Sequence, residues 1–182
     1  VKQRRPDLLI EFTDADPLQI ELQSDNDPSM AYRLLEYYAV IAEKQKRPLR
    51  QLVLYVGADP VNMATQIQHP QLHFRYDVID IRTLSCEQLL ASTALGDNLI
   101  ALLGKLENRR LAIRRVLRRI MRLDSTAKAN ALEKLAILSG LRPKQLPALI
   151  HEEAAVMSIT IDLEQNPFFH DAFQRYRAEG LE

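Results

Sequence analysis

One helix placed between two strand-like runs decides most of what this chain can become. Over residues 28–46, Leu34, Leu35, Tyr38, Ile41 and Ala42 recur at helical spacing and give the segment one apolar side. Asp27 reads as its N-cap with Pro28 at the first helical position, and Pro48 stops it. The flanking runs, 18–23 and 51–56, read as strands, the second ending at Gly57. A helix inserted between strands is a crossover long enough to join parallel neighbours, so a mixed sheet is expected.

Two further strands are expected. Residues 8–12 are apolar apart from Glu11, and the turn-formers Thr13, Asp14, Ala15, Asp16 and Pro17 join them to 18–23 as a hairpin. Residues 73–81 carry β-branched and aromatic side chains suited to a strand. After Ser85 the texture changes. Segments 88–94, 98–106, 109–123 and 126–138 place apolar residues three and four apart, with Gly140 and Pro143 as stop signals. Two more helices are expected at 144–157 and 167–179, around a short apolar link at 159–161. The organisation predicted is α/β: a core over 1–85 with a mixed β-sheet flanked by helices, then a helical C-terminal region over 86–182.

Composition narrows the chemistry. With 182 residues, 47% of them hydrophobic, the chain can bury an ordinary core without staples. Cys86 is the single cysteine, which excludes an internal disulfide and a cysteine-held zinc and suits a reducing, cytoplasmic setting. His69 and His73 are spaced i, i+4, but Pro70 between them spoils a helical metal motif. No apolar run reaches the roughly 18 residues of a membrane span, so no membrane partner is expected. Because the chain opens on Val1, an upstream segment is expected to be missing. The 24 basic and 24 acidic residues balance, which argues against a globally basic nucleic-acid binder but leaves the distribution of charge open.

The chemistry-bearing residues cluster in the expected hairpin. Asp7 opens the first strand, and Glu21 and Gln23 stand two apart on the second, hence on one face. If the register sets Asp7 opposite them, two carboxylates and an amide meet. Two carboxylates on rigid strands are a sufficient protein contribution for Mg²⁺, which takes hard oxygen ligands and keeps several waters. The alternation of residues 18–23 is equally that of any half-solvated strand. Glu11, four residues after Asp7, would share its face or be a solvated surface acid.

The stretch RRPDLLIEF, followed after a turn by IELQSDNDPSMAYRLLEYY, resembles the Rpn-type recombination-promoting nuclease and transposase-like family of the PD-(D/E)xK superfamily. Pro6 and Asp7 match its Pro-Asp, Glu21, Leu22 and Gln23 its ExK or ExQ element, and Met30, Tyr32, Arg33 and Tyr37 its helical pattern. A looser likeness continues through QLVLYVG, YDVIDIRTL, LAILSGLRP and the terminal RAEGLE. The resemblance implies a restriction-endonuclease-like fold and Mg²⁺-dependent hydrolysis of DNA phosphodiesters, with Mn²⁺ as a substitute ion. It makes Asp7, Glu21 and Gln23 catalytic, and Asp7, Glu21 and the Leu22 carbonyl the metal ligands. Gln23 stands where the superfamily's commonest form has lysine, and a neutral amide orients by hydrogen bonds without supplying charge.

Arginines mark the expected DNA contacts. Arg33 reaches a phosphate from the helix after the site, or pairs with a neighbouring acid. On the helix at 109–123, Arg114, Arg115, Arg118, Arg119 and Arg122 gather opposite Ile113, Val116, Leu117, Ile120 and Leu123. Such a stripe binds phosphates without sequence preference, or is a solvated face paired with acids. Two rivals to a nuclease stay open: an inactive nuclease fold binding DNA or protein, and a homo-oligomer assembled through the helical half.

Overall fold

The computed structural model describes residues 6–142 and 145–157. The expected helix at 167–179, the apolar link at 159–161 and the terminal RAEGLE lie outside the described residues. The chain divides into two compact units, Val1–Ile81 and Arg82–Glu182.

The first unit is built on a mixed four-stranded sheet with strand order β1-β2-β3-β6. β1 (Leu8–Ile10) runs antiparallel to β2 (Leu18–Gln23) as a hairpin. Helix α1 (Met30–Gln45) then carries the chain to β3 (Arg50–Tyr55), which pairs parallel with β2 and places Gln19 beside Gln51, Glu21 beside Val53 and Gln23 beside Tyr55. The connection from β3 to β6 (Asp77–Asp80), again parallel, contains a separate antiparallel hairpin of β4 (Gln66–His69) and β5 (Leu72–Arg75).

Two sequence expectations need correction, and one strand lay outside them. The single strand expected over 73–81 is two strands in two sheets. Tyr76 makes the break, its N–H donating to the Thr65 carbonyl at 3.1 Å and its hydroxyl to the Ala64 carbonyl at 2.7 Å. The strand over 66–69 went unpredicted. Helix α1 begins at Met30 because Asp27 Oδ1 accepts from both the N–H and the hydroxyl of Ser29, at 2.8 and 2.7 Å, so residues 27–29 form a turn ahead of the helix. At its other end Lys46 takes the left-handed conformation with φ of 52°, two residues before Pro48.

The faces of the sheet are used unevenly. Met30, Leu34 and Tyr37 of α1 join Val53 and Tyr55 of the sheet and Ile67, Phe74 and Tyr76 of the hairpin segment in one buried cluster. That helix-covered face also holds Gln19, Glu21 and Gln51, all buried. On the opposite face Leu8 and Leu22 are 49% and 55% exposed. Along β2 the polar Gln19 and Glu21 are therefore more deeply buried than Leu18 and Ile20, which are half-buried, and Leu22, which is exposed, the reverse of what burial energetics alone selects.

The second unit is helical among its described residues. After a short 3₁₀ turn at Ile81–Thr83 come α2 (Glu87–Ala91), α3 (Leu95–Ala101), α4 (Arg109–Met121), α5 (Ser125–Gly140) and α6 (Leu146–Val156). Asn108 and Asp124 cap α4 and α5 through side-chain oxygens that accept from Leu111 N and Ala127 N, each at 3.0 Å. Gly140 is the last residue of α5, and the stop follows it. Helix α4 packs against α3, α5 and α6. Its Ile113, Val116, Leu117 and Ile120 are fully buried, as the apolar stripe of the sequence requires.

Candidate functional site

Asp7 and Glu21 are brought together by a reciprocal pair of bonds. The Asp7 N–H donates to Glu21 Oε1 at 3.2 Å, and the Leu22 N–H donates to Asp7 Oδ2 at 2.9 Å. The local reason is register: Leu8 faces Ile20, so one further antiparallel step sets Asp7 opposite Glu21. In an extended strand the N–H and C=O of one residue leave the same edge. The Leu22 carbonyl therefore faces the Asp7 side. The next carbonyl in the chain, that of Gln23, accepts from Val56 N on the β3 side at 2.8 Å.

Glu21 is 3% exposed, and its carboxylate is held from three directions. Oε1 accepts from Asp7 N and, at 3.0 Å, from Gln19 Nε2, while Arg33 Nη2 stands 3.7 Å from Oε2. Behind Gln19, the Gln51 amide donates to Gln19 Oε1 and to the Leu34 carbonyl, both at 2.8 Å. A buried carboxylate is tolerated only where hydrogen bonds and an opposite charge compensate its lost hydration. Gln19, Asp7 N and Arg33 are that compensation.

Arg33 bridges the site. Its Nη2 donates to Gln23 Oε1 at 3.1 Å and its Nη1 to Asp27 Oδ2 at 3.1 Å. Its Nε is buried and has no hydrogen-bond partner among the described residues. The same charges reach Tyr76, whose phenol is pushed up first by burial and then by Asp27, with Arg33 opposing. The ends of β2 and β3 approach closely at this corner, for a Cβ on Gly57 would run into the Ser24 carbonyl and the Tyr55 ring.

Among the described residues no group of three or more His, Cys, Asp or Glu gathers to hold a metal. Asp7 and Glu21, with the Leu22 carbonyl on the same edge, fit a hard divalent ion in donor type, since such an ion completes its shell with water. Glu11 does not join them. β1 ends at Ile10, so Glu11 lies beyond the far end of the strand, roughly 13 Å of extended chain from Asp7 at about 3.3 Å per residue. There it accepts from Gln45 Nε2 at 2.6 Å.

The arginine stripe of α4 divides in two. Arg114 donates to Glu153 Oε2, and Arg110 donates to Glu153 Oε1 and Glu152 Oε2 at 2.7 and 2.6 Å, tying α4 to α6. These bonds, Arg114's first, hold the Glu153 carboxyl below the usual carboxylate range. Arg119 donates to Asn98 Oδ1 and to the Ser92 and Thr93 carbonyls, closing the turn between α2 and α3. The open cationic stripe is therefore shorter than the sequence suggested. Arg115, Arg118 and Arg122 remain exposed, and their side chains have no bond or ion pair among the described residues.

Sequence reasoning missed Gln19 and Gln51. Their signal was present as polar residues alternating with apolar ones on two strands, but it reads as a solvated face until the parallel register places the two amides side by side. No protein-family model, no curated protein and no solved structure matches the chain. No helix among the described residues is long and apolar enough to cross a membrane.

Proposed function

We propose that the first unit is a metal-dependent DNA-cutting domain of the PD-(D/E)xK type, related to the Rpn-type nucleases, with a restriction-endonuclease-like sheet. One observation carries the reading. The acid of the Glu-x-Gln element is buried on the helix-covered face, bonded to the backbone of the Asp of the Pro-Asp element, with a cation beside it. A fold selected for stability alone places Leu22 inward and Glu21 outward; the opposite arrangement supports a chemical role for Glu21 over a packing one.

Asp7 and Glu21 are the carboxylates that would hold Mg²⁺, or Mn²⁺ in its place, with the Leu22 carbonyl as the third protein ligand. When bound there, the ion supplies Lewis-acid polarisation of a phosphate and a more acidic water. The protein's own share is positional. The Gln51–Gln19 relay fixes the rotamer of Glu21, and the Leu22 N–H fixes Asp7, so the two acids need no reorganisation before reaction. Gln23 orients the reacting groups by hydrogen bonding. Arg115, Arg118 and Arg122 contribute salt-sensitive attraction for DNA phosphates.

The test is nicking of supercoiled plasmid in Mg²⁺. Asp7→Asn and Glu21→Gln are each expected to abolish nicking while leaving the circular dichroism spectrum unchanged, and cutting that survives both changes sinks the assignment. A second reading is favoured by the neutral Gln23 and by the placement of Arg33 against Glu21: an inactive nuclease fold that binds DNA. It predicts plasmid retardation that persists in chelator and weakens steeply with salt, with no nicking in either Mg²⁺ or Mn²⁺.

A further inference from the structure

We propose that Arg33 and Gln23 act as one unit that does the work of the lysine this site lacks, Arg33 supplying the positive charge and Gln23 the donor that meets a phosphodiester oxygen. This rests on the nuclease reading above and assigns within it the source of charge at the phosphate.

A guanidinium accepts no hydrogen bond. Every polar hydrogen of arginine is a donor, so the group of Gln23 that meets Arg33 Nη2 at 3.1 Å must be its oxygen. That fixes the amide flip, and the NH₂ end of Gln23 is left to face away from the arginine. A glutamine alone is free to present either end to a ligand; clamped by Arg33 it presents a donor, as lysine does. The charge comes from the clamp. Arg33 Nη2 also stands 3.7 Å from Glu21 Oε2, so a full positive charge lies within the pair of residues that defines the Glu-x-Gln element.

The placement of Arg33 is built, and its bonding is incomplete. It sits in the first turn of α1, its backbone N–H donating to the Ser29 carbonyl at 3.0 Å, and Asp27 Oδ2 grips Nη1 from the turn before the helix. Nε and Nη2 form the edge of the guanidinium that matches two oxygens of one anion. Among the described residues that edge has no bidentate partner: Glu21 Oε1 is committed to Asp7 N and Gln19, Oε2 remains at 3.7 Å, and Nε is buried with no acceptor. Two acids flank the guanidinium, Asp27 at 3.1 Å and Glu21 at 3.7 Å, and Gln23 takes a further hydrogen of Nη2, so the cation is held by the carboxylates of the site itself. A phosphodiester, whose non-bridging oxygens are acceptors only, is the ligand class that the NH₂ end of Gln23 fits.

The experiment uses the full chain, supercoiled plasmid in Mg²⁺ for nicking, and Mn²⁺ titration followed by electron paramagnetic resonance. Arg33→Gln is expected to slow nicking by about 100-fold, the scale of losing one preorganised charge-stabilising donor, while binding Mn²⁺ at least as tightly as the parent because Glu21 loses a competing cation. Gln23→Lys combined with Arg33→Gln is expected to return most of the lost rate, because the charge is restored from the strand. A purely structural role for Arg33 gives no such rescue. Where Arg33→Gln melts below the assay temperature, Arg33→Lys decides: nicking close to the parent's supports the assignment, and a fall to the level of Glu21→Gln overturns it. Nicking by Arg33→Gln as fast as the parent, weaker Mn²⁺ binding, or a double variant no faster than Arg33→Gln each overturns it and leaves the nuclease reading standing. A parent chain that neither binds Mn²⁺ nor nicks removes the nuclease reading itself, and this assignment with it.

Discussion

Gln19 donates to the carboxylate of Glu21 from two positions earlier on the same strand, 3.0 Å away on the buried face of the sheet. The pair does not stand alone, for Gln51 holds Gln19 from the next strand and reaches the Leu34 carbonyl on α1. Three elements are thus tied behind one acid. Gln19→Leu keeps the volume but removes a donor from a buried charge, and it is expected to destabilise the first unit by about 1–3 kcal/mol. Urea unfolding of the parent and the variant measures this. An unchanged midpoint would mean that the relay carries no tension from the buried carboxylate.

Neighbouring arginines on α4 should behave oppositely. Arg118 is exposed and without a partner among the described residues, so Arg118→Ala is expected to shift stability by no more than about 0.5 kcal/mol. The same change should flatten the salt dependence of DNA retention by roughly one phosphate contact. Arg119 closes the turn between α2 and α3, and Arg119→Ala leaves Asn98 Oδ1 and the Thr93 carbonyl short of donors, while the Ser92 carbonyl keeps the Asn98 amide, at a cost of about 1–3 kcal/mol. Melting curves and salt-titrated gel retardation separate the two effects.

The α4–α6 contact gives a pH signature. Hydrogen bonds from Arg114 and then Arg110 lower the Glu153 carboxyl, so the fold favours its ionised form. A carboxyl lowered in the folded state contributes fully above the ordinary carboxylate range, and its contribution is lost as the pH falls through its folded-state value. Helicity is expected to hold at neutral pH and to fall on acidification below that range. In Glu153→Gln this acid limb should be shallower, with lower stability at neutral pH, and superimposable titration curves would refute the coupling.

Gly57 is predicted to tolerate no side chain. A Cβ there meets the Ser24 backbone and the Tyr55 ring, neither of which can retreat without moving the end of β2 or of β3. Gly57→Ala is expected to destabilise by about 1–3 kcal/mol or more, as overpacking does. Because Gln23 is the residue before Ser24, plasmid nicking should fall beyond what the loss of folded protein explains.

The hairpin that carries Asp7, the crossover helix and the β3 strand were legible because each rests on local periodicity or turn chemistry. The β4–β5 hairpin was not. Residues 66–69 offer one strand-forming side chain, Ile67, and what holds them is its burial with Phe74 in a core assembled from distant segments. Residues 73–81 read as one strand for the same reason, since nothing local announces that Tyr76 turns its N–H to Thr65 and splits the run. At the site, Asp7 and Glu21 could be named because the Pro-Asp and Glu-x-Gln stretches that hold them resemble a known nuclease pattern, since strand alternation alone reads equally as a solvated face. Gln19 and Gln51 could not, because polarity on an alternating strand is also the mark of solvent, and only the crossover reveals that α1 lies over that face. The arginine helix shows the complementary limit: a helical wheel separates charged from apolar positions, yet it is blind to Glu153 and Asn98, which draw Arg114 and Arg119 out of the open stripe.

The β4–β5 hairpin interrupts the path between two parallel strands, yet it forms its ladder only with itself. Pro70 and Gln71 at its tip are exposed and belong to neither strand. Opening the polypeptide there severs no strand of either sheet, and the freed ends emerge into solvent. The tip is thus a natural port, where a fluorophore, an epitope or a new pair of termini can be introduced while β3 and β6 keep their alignment.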